Sequence, residues 1–498
     1  MLSIDWLGWA KDLKLHVRNL VDGRWREPGG DQVIDKYGPR DGRLLCRFAA
    51  GSIQDAHEAV AVARHAFEDG RWAKMPVQRR KDVLHKLACL VEQHRDELAL
   101  LECLDVGKPI RDAFYFDVPA AAATIRFGAE AADKLYGKVY GADASSLSYE
   151  LHRPLGVVAG IIGWNYPLVL AAAKIGAALA TGNCLVLKPS ELTSFSAGRI
   201  AELALEAGVP AGVFNVIHGD AAIGAALAHH RDVDLVTFTG STNTGKKLMA
   251  ASGESNMKRM ILECGGKAPN LVFEDSPALN AVAEGIVARA FWNQGEVCTA
   301  SSRLLIQEDI KDELLSIIVT KIKALSLGDP LNPNTKFGAL ISEKHKKKVL
   351  SYINSSEDEG ARLVYQSQSP TPDEAGFYLP PVIFDNVSPN QTIAQEEIFG
   401  PVLSVMSFRD EEDAIRIANS TIYGLSAIMW TKDLGRALRV THGIKAGWIV
   451  VNATDKPTGG PGVGVLSVGG LRESGIGREG GLRGLEDYTS QTAVQFFG

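Results

Sequence analysis

Short apolar runs rich in β-branched residues recur along this chain and alternate with alanine-rich stretches long enough to form helices. One series reads GVVAGII, CLVLKP, VFNVIHG and LVTFTG; another follows Asn270 and reads NLVF, SRLLIQE, PVLSVMSF and GWIVVN. Strands that alternate with helices form a parallel sheet with right-handed crossover connections. The pattern therefore predicts two successive α/β units of the doubly wound type.

Two other stretches extend this prediction. Between Arg80 and about Leu135, apolar residues three and four positions apart predict helices. The longest apolar stretch, Leu155 to Ala173, contains three glycines, an asparagine and a proline, which favours a strand, a turn and a helix start over a membrane span. The first residues lack the basic head, apolar run and cleavage site of a secretory signal.

Length and charge narrow the functional classes. A chain of 498 residues is expected to form two or three domains. Its formal net charge of −6 leaves no overall basic field for a nucleic acid or an anionic membrane. The 6 cysteines include no C-x-x-C pair and are too sparse for a disulfide scaffold, so a reduced, cytoplasmic location is expected.

Three polar positions beside apolar runs carry candidate catalytic groups. Cys298 ends the segment NQGEVC, and a thiol on such a loop can be exposed and partly ionised. Glu263 closes the run MILE before two glycines, where a carboxylate in a partly apolar cleft acts as a general base. Asn165 follows a strand where open α/β sheets bind ligands, and its amide can donate to an oxyanion. Each residue taken alone is more often a structural cysteine, a surface glutamate or a helix-capping asparagine.

Two further turns suit a nucleotide. The turn from Gly240 to Gly245 follows the strand LVTFTG and begins a helix. Its backbone amides would therefore face a bound anion. The turn does not match the G-x-G-x-x-G fingerprint of dinucleotide-binding proteins. Lys188 to Glu191 closes another strand, and a glutamate there would accept hydrogen bonds from both ribose hydroxyls and disfavour a 2′-phosphate. The sequence has no H-E-x-x-H, Cys/His cluster or Walker loop, so no metal or ATP site is expected.

In this order, the segments resemble the aldehyde dehydrogenase superfamily over essentially the whole chain. The motifs are GWNYP around Asn165, KPSE from Lys188, FTGSTNTG ending at Gly245, LECGGK from Leu262, NQGEVC ending at Cys298, EEIFGPV from Glu396 and GGLRESGIGRE ending at Glu479. The resemblance implies NAD(P)-dependent oxidation of an aldehyde to a carboxylic acid, with hydrolytic release. It also implies an α/β fold with a Rossmann-like cofactor domain, a second α/β catalytic domain and a small β oligomerisation arm.

The resemblance assigns roles residue by residue. Cys298 matches the family's nucleophile, Glu263 its general base, and Asn165 the amide that shares the oxyanion hole with the cysteine's backbone N–H. The positions that match cofactor contacts are Ile162, Trp164, Lys188, Ser190, Glu191, Gly240, Ser241, Thr244, Glu397 and Phe399. NAD is the expected cofactor, because Glu191 matches a ribose ligand; use of NADP is left open.

A domain plan also follows from the resemblance. Residues 1–137 and 156–262 are expected to form the NAD(P)-binding domain, residues 263–478 the catalytic domain, and residues 138–155 and 479–498 the arm. The arm should pair subunits of a homodimer or homotetramer. The expected partner is a small-molecule aldehyde, with no nucleic acid and no membrane.

Several positions depart from the family pattern. Cys264 stands where leucine is usual and is interpreted as a packing variant. Glu296 replaces a usual glutamine, and its carboxylate is expected to point away from Cys298, whose thiol pKa it would otherwise raise. Ala173 stands where tryptophan is frequent, and the loop at 452–467 lacks aromatic residues, so a wide substrate pocket is expected.

The sequence leaves the substrate open between classes. The segments GKPIRDAFYFD and ESNMKRMILE resemble bacterial enzymes that oxidise aminoaldehydes and γ-glutamyl-γ-aminobutyraldehyde. Asp112, Asp117, Tyr166 and Ala173 are candidate substrate contacts, and the two aspartates would receive a cationic or polar tail. The competing interpretation of that segment is a solvated helix with partly buried aromatics. The missing tunnel aromatics equally leave room for an aromatic or heteroaromatic aldehyde, and a semialdehyde is a further alternative.

Two other functional classes stay open on sequence alone. A thiol esterase would use Cys298 and Glu263 without a cofactor, but would leave Lys188, Glu191 and the other nucleotide residues without a role. A catalytically silent relative of the enzymes would not need the intact catalytic residues.

Overall fold

A computed structural model describes residues 1, 4–143, 145–367, 371–452 and 465–497 of the chain. Within these ranges the strands are β1 Asn19–Val21, β2 Arg24–Arg26, β3 Val33–Tyr37, β4 Leu44–Ala49, β5 Val139–Asp143, β6 Ser146–Pro154, β7 Val157–Ile161, β8 Cys184–Lys188, β9 Phe214–Val216, β10 Leu235–Thr239, β11 Arg259–Glu263, β12 Pro269–Val272, β13 Arg303–Gln307, β14 Arg362–Gln366, β15 Val382–Asp385, β16 Val402–Phe408, β17 Ser426–Trp430, β18 Trp448–Val451, β19 Gly475–Ile476 and β20 Thr489–Phe497.

The helices in the same ranges are α1 Trp6–Asp12, α2 Ile53–Glu68, α3 Val77–Gln93, α4 Arg95–Val106, α5 Ile110–Asp112, α6 Val118–Ala131, α7 Pro167–Ala180, α8 Phe195–Ala207, α9 Ala221–His229, α10 Thr242–Glu254, α11 Leu279–Phe291, α12 Lys311–Lys323, α13 Glu343–Asp358, α14 Thr392–Gln395, α15 Glu411–Ala418, α16 Leu434–Gly443 and α17 Gly481–Glu486. A π-helical turn, Ala113–Asp117, joins α5 to α6.

The first large sheet contains the strands of the first apolar series. Over the described residues its order is β19-β11-β10-β7-β8-β9-β1-β2. The strands from β7 to β11 run parallel, whereas β1, β2 and β19 pair antiparallel at the edges. The chain moves outward from β7 through β8 and β9 and then returns to the other side of β7 with β10 and β11. Because the strand order reverses between β7 and β10, a ligand crevice is expected at the carboxyl ends of these two strands.

The second large sheet contains the later apolar series. Its order is β14-β15-β16-β13-β12-β17-β18 in the described ranges, and all pairings are parallel except that of β14 with β15. Successive strand residues face opposite sides of a sheet. Leu304 and Leu305 of β13 accordingly belong to two different buried apolar clusters, one on each face. Helices cover both faces, as parallel sheets require.

A small antiparallel sheet, β20-β6-β5, projects from these two layers. β6 pairs with the C-terminal strand β20 from Ser146 to Pro154. The sheet carries exposed apolar side chains, with Val139 at 71% and Phe497 at 78% of full exposure. Exposed apolar groups gathered on one sheet mark an interaction surface in many proteins.

The predicted α/β class is confirmed, and each of the apolar runs quoted above contains a strand. The stretch Leu155 to Ala173 forms β7, a turn and the start of α7, as predicted. The domain boundaries stay a prediction; one strand from the expected catalytic segment, β19, completes the first sheet by pairing with β11. In the described part of the chain, no helix is long and apolar enough to cross a membrane.

Candidate active site

The loop between α11 and β13 presents Cys298. Asn293, Gln294 and Gly295 have φ values of 46°, 58° and 74°, so three successive residues lie in the left-handed region. A Cβ atom at Gly295 would lie 2.4 Å from the backbone oxygen of Gly400, so this position requires glycine. Unfavourable backbone of this kind persists where the surrounding structure holds it, often at functional sites.

The Cys298 thiol lies among carboxylates. Burial, followed by the charges of Glu397 and Glu263, raises the pKa of Cys298 to about 12. The backbone amides of Cys298 and Thr299 oppose this shift by donating to the sulfur. The thiol therefore keeps its proton at neutral pH until a base removes it.

Asn165 follows β7 and is fixed beside the nucleophile loop. Its Nδ2 donates to the backbone oxygen of Glu296 at 3.0 Å. Asn293 Nδ2 donates to the backbone oxygens of Asn165 and Glu296, each at 3.3 Å. Because an amide nitrogen carries two hydrogens, the second N–H of Asn165 can serve an oxygen on a carbon bonded to Cys298.

Glu263 ends β11 at the same crevice. Burial raises the pKa of its carboxyl group to about 8, against the opposing charges of Lys174 and Arg478 and a hydrogen bond from the Gly470 amide. A carboxylate with a pKa near the working pH is suited to general base catalysis.

Lys174 and Glu479 extend this charged group, and the sequence reasoning assigned neither of them a role. Lys174 is fully buried on α7 and forms an ion pair with Glu479. Burial lowers the pKa of Lys174 to about 7, whereas the charge of Glu263 raises it. Ala173 lines a cavity of about 40 Å³ together with Glu479. A signal was present in the sequence, because Lys174 is the sole charged residue in the run PLVLAAAKIGAALA.

Two of the nucleotide candidates meet at the carboxyl ends of β7 and β8. The Ile162 amide donates to the backbone oxygen of Lys188 at 3.1 Å. Lys188 is buried, its Nζ donates to Pro189 O at 3.0 Å, and it lies 3.6 Å from Glu191 Oε2. Ser190 is buried in the same turn, whereas the Glu191 side chain is partly exposed to the crevice.

The turn after β10 forms the other wall of the crevice. Ser241 caps α10 by accepting a hydrogen bond from the Thr244 amide, and the two hydroxyls are 2.9 Å apart. A Cβ atom at Gly240 would lie 2.5 Å from the Phe238 ring, so only glycine fits at this position. Thr239 Oγ1 is buried there without a hydrogen-bond partner.

Glu397, Phe399 and Trp164 stand on the side of the crevice nearer to Cys298. Glu397 Oε1 accepts from the Gly266 amide at 2.8 Å, and burial raises the pKa of this carboxyl group to about 7. Phe399 has a left-handed φ of 62° and packs edge-on against Trp164, with ring centroids 5.2 Å apart.

A group of aromatic side chains also lies near Cys298. Tyr166 lies close enough for the charge of Cys298 to raise its pKa, and it is hydrogen-bonded to Trp292. Phe116 packs edge-on against both rings, with centroids 6.2 Å from Tyr166 and 5.8 Å from Trp292. These three rings form an apolar wall beside the nucleophile.

The segment with the two candidate aspartates contains the π-helical turn Ala113–Asp117. It is not a solvated helix, because Asp112 and Asp117 are both buried. Asp117 lies 2.6 Å from Lys108 Nζ, and this ammonium group lies 4.0 Å from the centre of the Tyr166 ring. An aspartate that already has a buried cationic partner is poorly placed to receive a cationic substrate tail. Residues 453–464 of the loop expected to line the pocket lie outside the described residues.

Comparison with known proteins identifies the family. The profile described as "Aldehyde dehydrogenase family" matches residues 25–494. The chain belongs to the aldehyde dehydrogenase family. It is 43% identical to the aminoacetaldehyde dehydrogenase of Pseudomonas aeruginosa over 97% of this chain and 96% of that protein. It is 42% identical to the NADP/NAD-dependent aldehyde dehydrogenase PuuC of Escherichia coli, over 98% and 97% of the two chains.

A solved structure of the family superposes on the chain with a TM-score of 0.96. It is the indole-3-acetaldehyde dehydrogenase AldA of P. syringae, a cysteine-to-alanine mutant in complex with NAD+ and IAA, at 44% identity over 99% of each chain. The sequence-based identification of an aldehyde dehydrogenase is thereby confirmed.

Proposed function

We propose that this aldehyde dehydrogenase oxidises its substrate with NAD+ through a thioester on Cys298, which Glu263 then helps to hydrolyse. The observation that carries the proposal is that Cys298 lies within electrostatic reach of both Glu263 and Glu397, beside the crevice where the strand order of the first sheet reverses. A nucleophile, a base and a carboxylate on the cofactor side therefore meet at one point.

The oxidation step uses the thiol and the amide. The Cys298 sulfur attacks the aldehyde carbon, its proton passes to Glu263, and the aldehyde oxygen becomes the oxyanion of a thiohemiacetal. Asn165 donates to that oxyanion, a contribution of about 3–4 kcal/mol for one such donor. A bound NAD+ would supply the hydride acceptor, and loss of hydride from the former aldehyde carbon would leave the acyl group on the Cys298 sulfur as a thioester.

The second step releases the acid. Glu263 first loses the proton that it took from Cys298 and, once ionised, removes a proton from a water molecule while the hydroxide adds to the thioester carbonyl. The C–S bond then breaks, and the proton on Glu263 passes to the sulfur, which restores the Cys298 thiol and the ionised base. The proton taken by Glu263 has a route outward, because Lys174 lies next to this carboxylate and pairs with Glu479, whose side chain is 16% exposed.

The residues around the crevice fit a dinucleotide. The orphaned hydroxyl of Thr239 and the amides at the start of α10 lie together, and amides at a helix N-terminus suit a pyrophosphate. Lys188 and Glu191 offer a cation and an acceptor for ribose hydroxyls. The Glu191 carboxylate would repel a 2′-phosphate, which supports a preference for NAD over NADP. Trp164, Glu397 and the other matched positions would hold the nicotinamide end.

Two substrate classes have support. The wall formed by Phe116, Tyr166 and Trp292 favours an aromatic or heteroaromatic aldehyde, since ring edges and faces pair well. The indole-3-acetaldehyde relative agrees with this class. The aminoacetaldehyde relative supports an aminoaldehyde, although the pairing of Asp117 with Lys108 removes one expected contact for its cation. A panel of aldehydes ranked by kcat/KM separates these classes.

We also infer a homo-oligomer in which the sheet β20-β6-β5 is covered by another subunit. The exposed apolar residues of this sheet, among them Val139 and Phe497, support the inference. Replacing both by serine should lower the mass measured by light scattering.

Cys298→Ala tests the catalytic proposal directly. The variant should bind NAD+ as the parent does, by calorimetry, yet show no aldehyde-dependent formation of NADH, because no thioester can form. Cys264→Ala, a change at a neighbouring thiol, is the matched control and should keep its activity. Turnover in Cys298→Ala at the parental rate would end the covalent proposal.

A further inference from the structure

A cavity of about 200 Å³ lies at the β9-β1-β2 end of the first sheet. Its lining includes Trp25 of β2, His218 after β9, and residues of the segment before β1, of α4 and of α8. The crevice described above lies between β7 and β10, on the other side of β8. In the described part of the chain, no residue that matches a cofactor contact lines this edge cavity. The edge cavity is therefore separate from the catalytic crevice.

Apolar side chains form much of the wall of the edge cavity. Leu101 of α4 and Phe195 of α8 are buried, and Trp25 is partly buried. Leu13 and Leu15 line the cavity as well. A dry apolar cavity of about 150 Å³ is large enough to bind benzene. The edge cavity is therefore large enough for one aromatic ring with a short substituent.

His218 adds a buried polar group to this wall. The residue is 1% exposed, and its Nδ1 has no hydrogen-bond partner among the residues that the structure describes. Burial, followed by the charge of Lys188, lowers the pKa of His218 to about 3, so the imidazole is neutral at pH 7. A neutral imidazole has one nitrogen that donates and one that accepts. A buried polar atom without a partner is costly, and a hydroxyl or N–H group of a ligand would remove that cost.

The rim of the edge cavity carries an excess of positive charge. Lys14 and Arg18 are exposed there, and neither forms an ion pair within the described ranges. The two carboxylates that line the cavity, Glu97 and Glu202, each accept from Arg199 at 2.9 Å. Because these carboxylates already share a cation, Lys14 and Arg18 are left to bind an anion.

We propose that the edge cavity binds a small aromatic carboxylate that carries a hydroxyl or N–H group on its ring. The carboxylate pairs with Arg18 and Lys14 at the rim. The ring packs against Trp25 and Phe195, and its polar group reaches His218. The Arg18 guanidinium lies 5.3 Å from the centre of the Trp25 ring, so a carboxylate bound to this arginine brings its own ring to the tryptophan. Binding here does not depend on the proposed function, because it uses no catalytic residue.

Calorimetric titration of the NAD+-loaded enzyme with 4-hydroxyphenylacetate, without aldehyde, tests the proposal. Because this acid can also enter the catalytic pocket, the decisive quantity is the difference in stoichiometry between the parent and Gly198→Leu. A Cβ atom at Gly198 would meet only Trp25 within 4 Å, at 3.7 Å, so a leucine fits on α8 and extends into the cavity. The parent should bind one more acid per chain than Gly198→Leu.

Gly253→Leu is the matched control. It places a leucine on α10, where a Cβ atom would meet no atom within 4 Å and which does not line the edge cavity. This variant should bind the acid as the parent does. Both leucine variants should keep the parental kcat for aldehyde oxidation and the parental unfolding midpoint, so that a lost binding event is not a lost fold.

Further comparisons test the chemistry of the ligand. Arg18→Gln should weaken the additional binding event about tenfold or more, the effect of one hydrogen bond to a charged group. Phenylacetate, which lacks the hydroxyl, should bind the parent about three- to tenfold more weakly than 4-hydroxyphenylacetate. This preference should disappear in His218→Leu. The neutral analogue 4-hydroxyphenylacetamide should bind the parent no better than the acid binds Arg18→Gln.

Equal stoichiometry in the parent and in Gly198→Leu would overturn the site. Parental affinity of Arg18→Gln for the acid, or equal affinity of the parent for the acid and its amide, would overturn the proposed class of ligand. Failure of the parent enzyme to reduce NAD+ with any aldehyde would instead overturn the proposed function, and the stoichiometries at the edge cavity would not change.

Discussion

Two buried clusters in this enzyme have the same composition, a lysine between two carboxylates, in opposite settings. The relay cluster consists of Glu263, Lys174 and Glu479 and borders the crevice. The anchor cluster consists of Glu102, Lys108 and Asp117 and lies beneath Tyr166, with all three side chains at or below 1% exposure. The relay cluster has a partly exposed end at Glu479, whereas the anchor cluster has none among its members.

The helix α7 connects both clusters, which makes the contrast informative. Glu102 Oε1 accepts from the Leu168 amide at the first turn of α7, at 3.1 Å, and Lys174 lies further along the same helix. The anchor cluster has no member in contact with solvent, and removing one partner of such a buried pair is strongly destabilising. Under the proposed mechanism, exposure of one member, rather than residue type, therefore distinguishes the proton route from a structural support.

Glutamate-to-glutamine changes in the two clusters should have opposite results. Glu263→Gln removes the base, so steady-state turnover should fall by about 10²–10⁴-fold while a single burst of NADH remains. Burial raises the pKa of Glu102 to about 8, so this group is mostly neutral already, and Glu102→Gln should leave turnover near the parental value. Stopped-flow absorbance of NADH measures both. Steady-state turnover of Glu263→Gln at the parental rate would remove the distinction.

Loss of the anchor lysine should affect stability rather than chemistry. Lys108→Met leaves the buried Asp117 side chain without its cation, and breaking a buried pair in this way costs about 3–5 kcal/mol. The thermal unfolding midpoint should fall, while the pH dependence of turnover stays unchanged in the enzyme that remains folded. Lys321→Met, which breaks a pair with Glu284, whose side chain is 68% exposed, should cost at most about 1 kcal/mol. Equal unfolding midpoints for the two variants would contradict the assignment of the anchor cluster as a structural support.

The contrast also shows which parts of the site the sequence could predict. Cys298, Glu263 and Asn165 follow apolar runs, and local motifs of this kind indicate both the strand and the group at its end. The pairing of Lys174 with Glu479 joins segments remote in the chain, so no local pattern contains it.

The burial of Asp117 escaped prediction for another reason. The π-helical turn at Ala113–Asp117 has i→i+5 hydrogen bonds, which shift every later residue relative to the spacing of an α-helix. A periodicity of 3.6 residues therefore cannot tell which side of that segment faces the core. The burial of Glu296, whose carboxylate accepts from the Ile341 amide, likewise depends on three left-handed residues that precede Cys298, which only the folded loop reveals.

The smallest expected effect is a change in the pH dependence of kcat, and it tests whether the charge of Lys174 controls the pKa of Glu263. The charge of Lys174 lowers the pKa of Glu263. Lys174→Gln removes that charge, so the pKa of Glu263 should rise further, by about one unit or more for a close opposite charge. Because the ionised carboxylate is the active form, hydrolysis should then need a higher pH, and turnover at pH 7 should fall about tenfold per unit. The alkaline rise in kcat, measured where thioester hydrolysis limits the rate, should move to higher pH.

Lys108→Gln serves as the control and should leave the rise in kcat in place, since Lys108 does not act on Glu263. An unmoved rise in Lys174→Gln would mean that proton release from Glu263 bypasses the lysine, and the two clusters would then both be structural supports.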